Sequence, residues 1–532
     1  MRKRFGIFAG LTLAFAVLMS LPWLVPHCGW TALAGMLPLL ILERLATEYK
    51  VKHFWLWHYG SFVLWNAATT WWVWNATAGG AVFAILANSL QMSVVFGSFR
   101  WVKRRIAGVL PYLYLAAAWL AWERFYLTAA EISWPWLVLG NAFAQTTSLV
   151  QWYSVLGTLG GSLWVWASNL SLFGLMVALS DGRMARWNAK ARVAAFAAPL
   201  LLLFGPMTWS ACLQFREEGT PLKVVIGQPN LDPYEKFDSM TQAEQDALLL
   251  GLLERAQWTS DPTLVLAPET FTSRVYTNAV PEHETSVRLQ QFLQRHPSAS
   301  ILYGASTYEP RWGALPPDPC AYDMGKQADG RHLWILAHNS ALVTDTTGRY
   351  SLYHKSKLVV GTELTPYPKL FIPLENWLGG GLMAKDVGQE EISCLPVNGV
   401  PVGAAVCYES VYGEFCTGYV RRKGAQLLAV ITNDAWWGNT PGYKQHLSYS
   451  RLRAIETRRW VARCGNTGVS ALIDPNGRII RRTPWWEPAI LEGEVQLLQG
   501  ETFFVRYGDM VGRVAVFLFL LVGGAALFRP RK

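Results

Sequence analysis

Apolar residues in this chain of 532 are pooled, not spread: 1–215 and 510–528 hold nearly all the long apolar runs, while 221–500 has the mixed composition of a globular domain. A helix needs roughly 20 apolar residues to cross the hydrocarbon of a bilayer, where each backbone polar group must be satisfied inside the helix itself. The spacing predicts about eight spans, at 5–25, 29–43, 54–75, 79–99, 107–127, 155–180, 193–212 and 510–528, the second being short and containing Pro38. The organisation expected is a helical polytopic membrane domain of seven spans at 1–215, a polar domain at 221–500 and a C-terminal span at 510–528. A chain that is 52% hydrophobic and only 16% charged is too apolar for an ordinary soluble protein. Many of the 27 Trp, among them Trp55, Trp57, Trp71, Trp72, Trp74, Trp101, Trp134 and Trp136, stand near the ends of apolar runs, as rings at headgroup level would.

The net charge of +10 follows the parity of the loops. Seventeen Lys and Arg fall on one set of alternating segments, at 2–4, 44–52, 100–105, 183–192 and 529–532, whereas the opposing segments 26–28, 76–78 and 128–154 carry none. By the positive-inside rule both termini face the cytoplasm and the block 221–500 lies across the membrane on the outer side. Because these residues form no single patch, nucleic acid is not an expected partner. Residues 5–25 have the basic start of a signal peptide, but the long apolar core and the spans that follow favour retention as a first helix. Seven cysteines with no CxxC pair argue against a disulfide framework.

Within 221–500 the rhythm is strand, helix, strand. Strands are expected at 222–228, 263–267, 300–305, 340–344, 402–407, 427–432, 460–464 and 469–473, and helices near 240–258, 283–295 and 444–459, which is an α/β pattern. Three of the apolar runs end in reactive side chains: Glu269 follows TLVLAP, Lys355 closes SLYHK and Cys407 follows VGAAV. Strands ending in a carboxylate, an amine and a thiol can bring the three together at one sheet edge, where burial and mutual charge are expected to make a thiolate available. Such a set suits acyl transfer: Glu269 as base, Lys355 as the cation beside the developing oxyanion, Cys407 as nucleophile, with Glu363 and Glu409 placed to orient Lys355 or tune its charge. No G-x-S-x-G, HExxH or G-x-x-x-x-G-K-[ST] motif competes, and His338, His354 and His446 stand singly, so neither metal nor cofactor is expected. The basic residues near 444–459 (Lys444, Arg451, Arg453, Arg458, Arg459) are read as a solvated or ion-paired face.

The segments LVLAPET at 264–270, YHKSKLVVGTE at 353–363, VCYES at 406–410 and TNDAWWGNT at 432–440 carry a resemblance. The block 221–500 resembles the nitrilase, or carbon–nitrogen hydrolase, superfamily, and with its membrane spans the whole chain resembles the bacterial apolipoprotein N-acyltransferase family. The resemblance implies an α-β-β-α sandwich with Glu269 as general base, Lys355 as oxyanion stabiliser, Cys407 as nucleophile, and Glu363, Tyr408 and Glu409 in support. It implies a phospholipid acyl donor, a thioester intermediate, a diacylated apolipoprotein as acceptor, and a membrane-embedded enzyme working as a monomer; a membrane-tethered amidase using water is the alternative. Asn433, Asp434, Trp436 and Trp437 are candidates for the pocket rim, and Phe237 stands where the family usually has Trp. Val360-Gly361-Thr362 replaces the family's usual Pro-Phe-Gly before Glu363, and Lys357 is the rival for the catalytic amine.

Overall fold

The computed structural model describes residues 2–216, 218–377 and 385–530. Short β-rich runs in the polar domain form two sheets. The first contains β1 (Thr220–Gln228), β2 (Thr263–Leu266), β3 (Thr272–Tyr276), β4 (Ala299–Trp312), β5 (Tyr322–Lys326), β6 (His332–Thr344) and β7 (Tyr350–His354). The second contains β8 (Cys394–Val397), β9 (Val400–Val406), β10 (Leu427–Thr432), β11 (Val461–Gly465), β12 (Ala471–Ile473) and β13 (Ile479–Arg482), after which β14 (Ala489–Leu497) returns to the first. The strand orders are β14-β1-β2-β4-β6-β5, with β3 on β4 and β7 on β6, and β13-β12-β11-β10-β9-β8.

Alternation along the strands decides what each face buries. Leu222, Val224, Ile226, Leu264, Leu266 and Leu302 pack against Val402, Ala404, Val406, Leu427, Ala429 and Ile431 of the other sheet. The intervening Val225, Val265 and Ile301 point outward onto Leu249, Leu253, Leu289 and Phe292 of helices Gln242–Leu253 and Glu284–Arg295. On the far side, helices Gly413–Lys423 and Pro441–Thr457 cover the second sheet, so the domain is an α-β-β-α sandwich.

Six helices among the described residues are long and apolar enough to cross a membrane: Lys3–Leu24, Gly29–Glu48, Ala78–Lys103, Tyr153–Ser180, Ala189–Cys212 and Met510–Leu527. This is fewer than the eight expected. Trp55–Thr70 is a helix of only 16 residues, about 24 Å at 1.5 Å per residue, before it tightens at Trp71–Asn75. Leu110–Thr128 is long enough, but Glu123 and Arg124 lower its hydropathy.

The sandwich rests on the membrane helices through Pro441–Thr457. Tyr449, Leu452 and Ile455 share a core with Trp23, Trp65, Trp72, Trp136 and Trp152. Trp72 and Trp136 are fully buried packing residues, not headgroup-level rings. Across the junction, Trp23 Nε1 donates to Tyr449 Oη at 3.1 Å and Trp136 Nε1 to Gln445 Oε1 at 2.6 Å. Three of the five basic residues expected on a solvated or ion-paired face, Arg451, Arg453 and Arg458, are drawn into this junction. Arg453, Arg458 and Arg459 are buried. Arg453 donates to Thr158 Oγ1 at 2.9 Å, Arg458 to Gln151 Oε1 at 2.8 Å and Arg451 to Thr147 Oγ1 at 2.8 Å. These three guanidinium groups bind the Pro441–Thr457 region to the helical domain beneath it.

Candidate active site

β1, β2 and β4 run parallel, as do β9, β10 and β11, and the C-terminal edges of β2, β9 and β10 supply residues to one place. Side chains from both sheets meet there. Glu269 Oε2 accepts from the Asn433 amide beyond β10 at 2.9 Å, while Oε1 accepts from Asn339 Nδ2 at 2.8 Å and lies 3.4 Å from Lys355 Nζ. Lys355 Nζ donates to Glu363 Oε1 at 2.8 Å, and Asn339 Nδ2 reaches the same oxygen at 2.7 Å. Lys355 is 1% exposed. Burial opposes its charge, but Glu363 and then Glu269 outweigh that and hold the ammonium above the ordinary lysine value.

Three backbone features hold this geometry. Cys407 sits in the left-handed region, with φ of 52°, at the end of β9, so the chain turns sharply where the thiol is presented. Gly304 lies against the strand carrying Glu269: a Cβ there would fall 2.5 Å from Glu269 Cα and 2.7 Å from the Pro268 carbonyl oxygen. The Val360-Gly361-Thr362 segment keeps Glu363 in place by a tight turn, with Gly361 at φ of 86° and the Val359 amide donating to Glu363 Oε2 at 2.7 Å.

The thiol itself departs from expectation. Burial pushes the Cys407 thiol well above its ordinary value, Glu269 pushes it further, and Lys355 only partly compensates. Burial and Glu269 both oppose ionisation of the thiol at rest, against the expectation that burial and mutual charge would favour the thiolate. The charge count explains it: one ammonium faces two carboxylates, and a thiolate would add another negative charge to an already anionic cluster.

Glu409 joins the thiol-bearing turn to the segment that carries Lys355. Its carboxylate accepts from the Val406 amide at 2.8 Å, the Ser356 amide at 2.6 Å and Tyr353 Oη at 2.6 Å. Tyr408 turns the other way, stacking near Trp134 with centroids 6.4 Å apart and donating to the Ser133 carbonyl at 3.3 Å. Glu409→Gln should direct an amide N–H at donors, costing about 1–3 kcal/mol of stability. A thermal melt together with single-turnover rates will check this, and an unchanged melt would contradict the role.

The rival amine is elsewhere. Lys357 Nζ lies 5.5 Å from the Tyr412 ring centroid and 5.9 Å from that of Phe415, and burial lowers its pKa. Of the rim candidates, Asn433, Trp436 and Trp437 line the cavity at the cluster, Trp437 packing on Trp72 at 4.8 Å. Asp434 does not. It is buried behind the site, 2.6 Å from Arg463 Nη2 and 2.8 Å from His446 Nδ1. Burial alone would raise this carboxyl, but Arg463 and His446 hold it down at about 2. The side chain of Phe237 lies outside the described residues.

Sequence reading missed Asn339, His446 and Asp386. Asn339 bridges both carboxylates, and His446 Nε2 lies 3.1 Å from the Cys407 carbonyl oxygen. Asp386 lines the cavity, its carboxyl raised to about 6 by burial and by Glu363. None of the three stands in a recognisable local motif. All seven cysteines are free.

The cluster opens into one cavity of about 810 Å³. Its lining includes Glu269, Lys355 and Cys407 together with Gly80, Phe83, Ala84, Ala87, Asn88 and Gln91 of the helix Ala78–Lys103. The spacing of those six positions is that of one helix face, so the cavity lies along one side of a helix long and apolar enough to cross a membrane.

Two family models match the chain: carbon–nitrogen hydrolase over residues 236–502 and the apolipoprotein N-acyltransferase N-terminal domain over 15–171. An apolipoprotein N-acyltransferase of Chlorobaculum tepidum is 28% identical over 520 residues, covering 96% of this chain and 94% of the relative. Another so named, from Azotobacter vinelandii, is 31% identical over 548 residues, covering 98% and 95%. One from Geobacter metallireducens is 30% identical over 459 residues, covering 85% and 80%.

Proposed function

The chain belongs to the apolipoprotein N-acyltransferase family, and from that premise we propose that it moves an acyl chain from a membrane phospholipid, by way of a thioester on Cys407, to the α-amino group of the N-terminal diacylglyceryl-cysteine of an apolipoprotein. The observation that carries this reading is the single cavity joining Glu269, Lys355 and Cys407 to an apolar face of a membrane helix. A water-soluble substrate has no need of that face. An acyl chain does, because each methylene buried there contributes about 0.8 kcal/mol.

The chemistry follows from the charge count. As Cys407 Sγ attacks the ester carbonyl, its proton passes to Glu269, so the cluster's net charge stays constant while the S–C bond forms. The carbonyl oxygen becomes an oxyanion beside the Lys355 ammonium, which is already charged and pays no reorganisation. Collapse breaks the C–O bond, Glu269 returns the proton to the departing lysophospholipid oxygen, and the thioester remains. The acceptor amine then attacks the same carbonyl, Glu269 takes its proton, and the C–S bond breaks to regenerate the thiol and release the amide. Glu363 and Asn339 orient the base and the cation, and Glu409 holds the turn.

The distribution of Lys and Arg supports placement of this domain on the periplasmic side of the inner membrane, with both termini in the cytoplasm. Intact-mass measurement after incubation with a defined phospholipid should find one acyl group on Cys407, absent from Cys407→Ala and discharged by a diacylated lipopeptide with formation of its N-acyl product. Release of free fatty acid at the same rate with and without lipopeptide would instead identify a hydrolase using water.

A further inference from the structure

Across β6 and β7 from the catalytic cluster, the sandwich holds a second set of chemically reactive groups. His338 precedes Asn339 and His354 precedes Lys355, so strand alternation turns the two imidazoles away from the cavity that their neighbours line. In register, His338 lies opposite Thr307 and His354 opposite Ser340. Glu309, two residues beyond Thr307 on β4, completes the group, and one ligand-capable atom from each of Glu309, His338 and His354 lies within 4.8 Å of the others.

The hydrogen bonds define which nitrogens are available. His338 Nδ1 is 2.6 Å from the Val387 carbonyl oxygen, which can only accept, so Nδ1 carries the proton and Nε2 presents its lone pair. That Nε2 is buried and makes no hydrogen bond, Glu309 Oε2 standing 3.6 Å away. His354 Nδ1 pairs with the Ser340 hydroxyl at 2.8 Å, itself 2.7 Å from Thr307 Oγ1; with Nδ1–H donating to Ser340 and Ser340 to Thr307, the other ring nitrogen is free for a ligand. The two rings stack with centroids 3.8 Å apart. Arg311 holds Glu309 Oε1 at 2.7 Å and fixes the carboxylate, while its own exposure screens its charge.

We propose that Glu309, His338 and His354 bind a divalent first-row transition-metal ion, zinc fitting the two-imidazole, one-carboxylate set best, with water in the remaining position. A buried imidazole lone pair with no donor in reach is what a metal satisfies. The outer partners Val387, Ser340 and Arg311 are of the kind that orient ligands. The ion would tie β4, β6 and β7 together beside Asn339 and Lys355, and so brace the cluster without touching substrate.

The experiment uses the full-length chain in detergent, stripped with a chelator, incubated with zinc and desalted, with metal content measured by mass spectrometry. One equivalent of zinc per chain and a higher melting temperature are expected. Glu309→Gln, a change at a half-buried position, and His354→Gln should each weaken zinc binding at least roughly 10-fold, since even outer partners of a metal site are worth that much. Cobalt(II) loaded in place of zinc should show visible d–d bands that Glu309→Gln diminishes. An intact chain that retains no stoichiometric zinc, or zinc kept equally by both variants, overturns the assignment. Neither readout depends on acyl transfer.

Discussion

Glu269→Gln should slow acyl transfer by about 10²- to 10⁴-fold, the range for loss of a general base, and at the same time make Cys407 easier to alkylate. The two effects have one origin. In the intact protein burial first, and then the Glu269 carboxylate, hold the Cys407 thiol well above its ordinary value. Removing that negative charge lowers the energy of the thiolate, so alkylation by iodoacetamide should proceed at lower pH in the variant. Catalysis nevertheless falls, because no group remains to receive the proton and return it to the leaving oxygen. Lys355→Met should act oppositely on the thiol, since the ammonium is the charge that pulls it down. The measurement is the pH profile of alkylation for the three proteins beside their single-turnover rates. If Glu269→Gln shifted the profile to higher pH, the proposed relation between base and nucleophile would be wrong.

Ala87→Trp should convert a long-chain enzyme into one that prefers shorter donors. Ala87 lines the cavity on the face of Ala78–Lys103 where the acyl chain is proposed to lie. An indole there removes space for three or four methylenes, each worth about 0.8 kcal/mol, so kcat/KM for the longest donors should fall roughly 50- to 200-fold. Donors too short to reach the indole should be almost unaffected. A series of phospholipids differing stepwise in chain length will read this, and a uniform loss at every length would place the chain elsewhere.

The candidate site was partly legible because its members end apolar strands. Glu269 after β2, Lys355 after β7 and Cys407 after β9 announce themselves as polar residues following buried runs, and the sheets bring such ends together. Asn339 could not be found this way. It lies inside the long strand β6, indistinguishable in sequence from any polar residue on a half-exposed face, and gains its role only because β6 passes between the two carboxylates. His446 is likewise an ordinary helical residue until the turn at Cys407 packs on it. Asp434 was misplaced for the opposite reason. A conspicuous motif drew it to the rim, while Arg463, distant in sequence on β11, holds it behind the site.

What the sequence by itself determined was which segments are long and apolar, which form strands, and which reactive side chains follow them, because hydrophobic periodicity and the residues that break it act locally. The tertiary structure decided which charges face the Cys407 thiol, the burial of Arg453, Arg458 and Arg459, and the meeting of His338 with His354. Each of these depends on charges and surfaces brought from far along the chain. A buried charge is governed by its neighbours in space, at energies that vary steeply over a few ångströms, and no local pattern of residues encodes that distance.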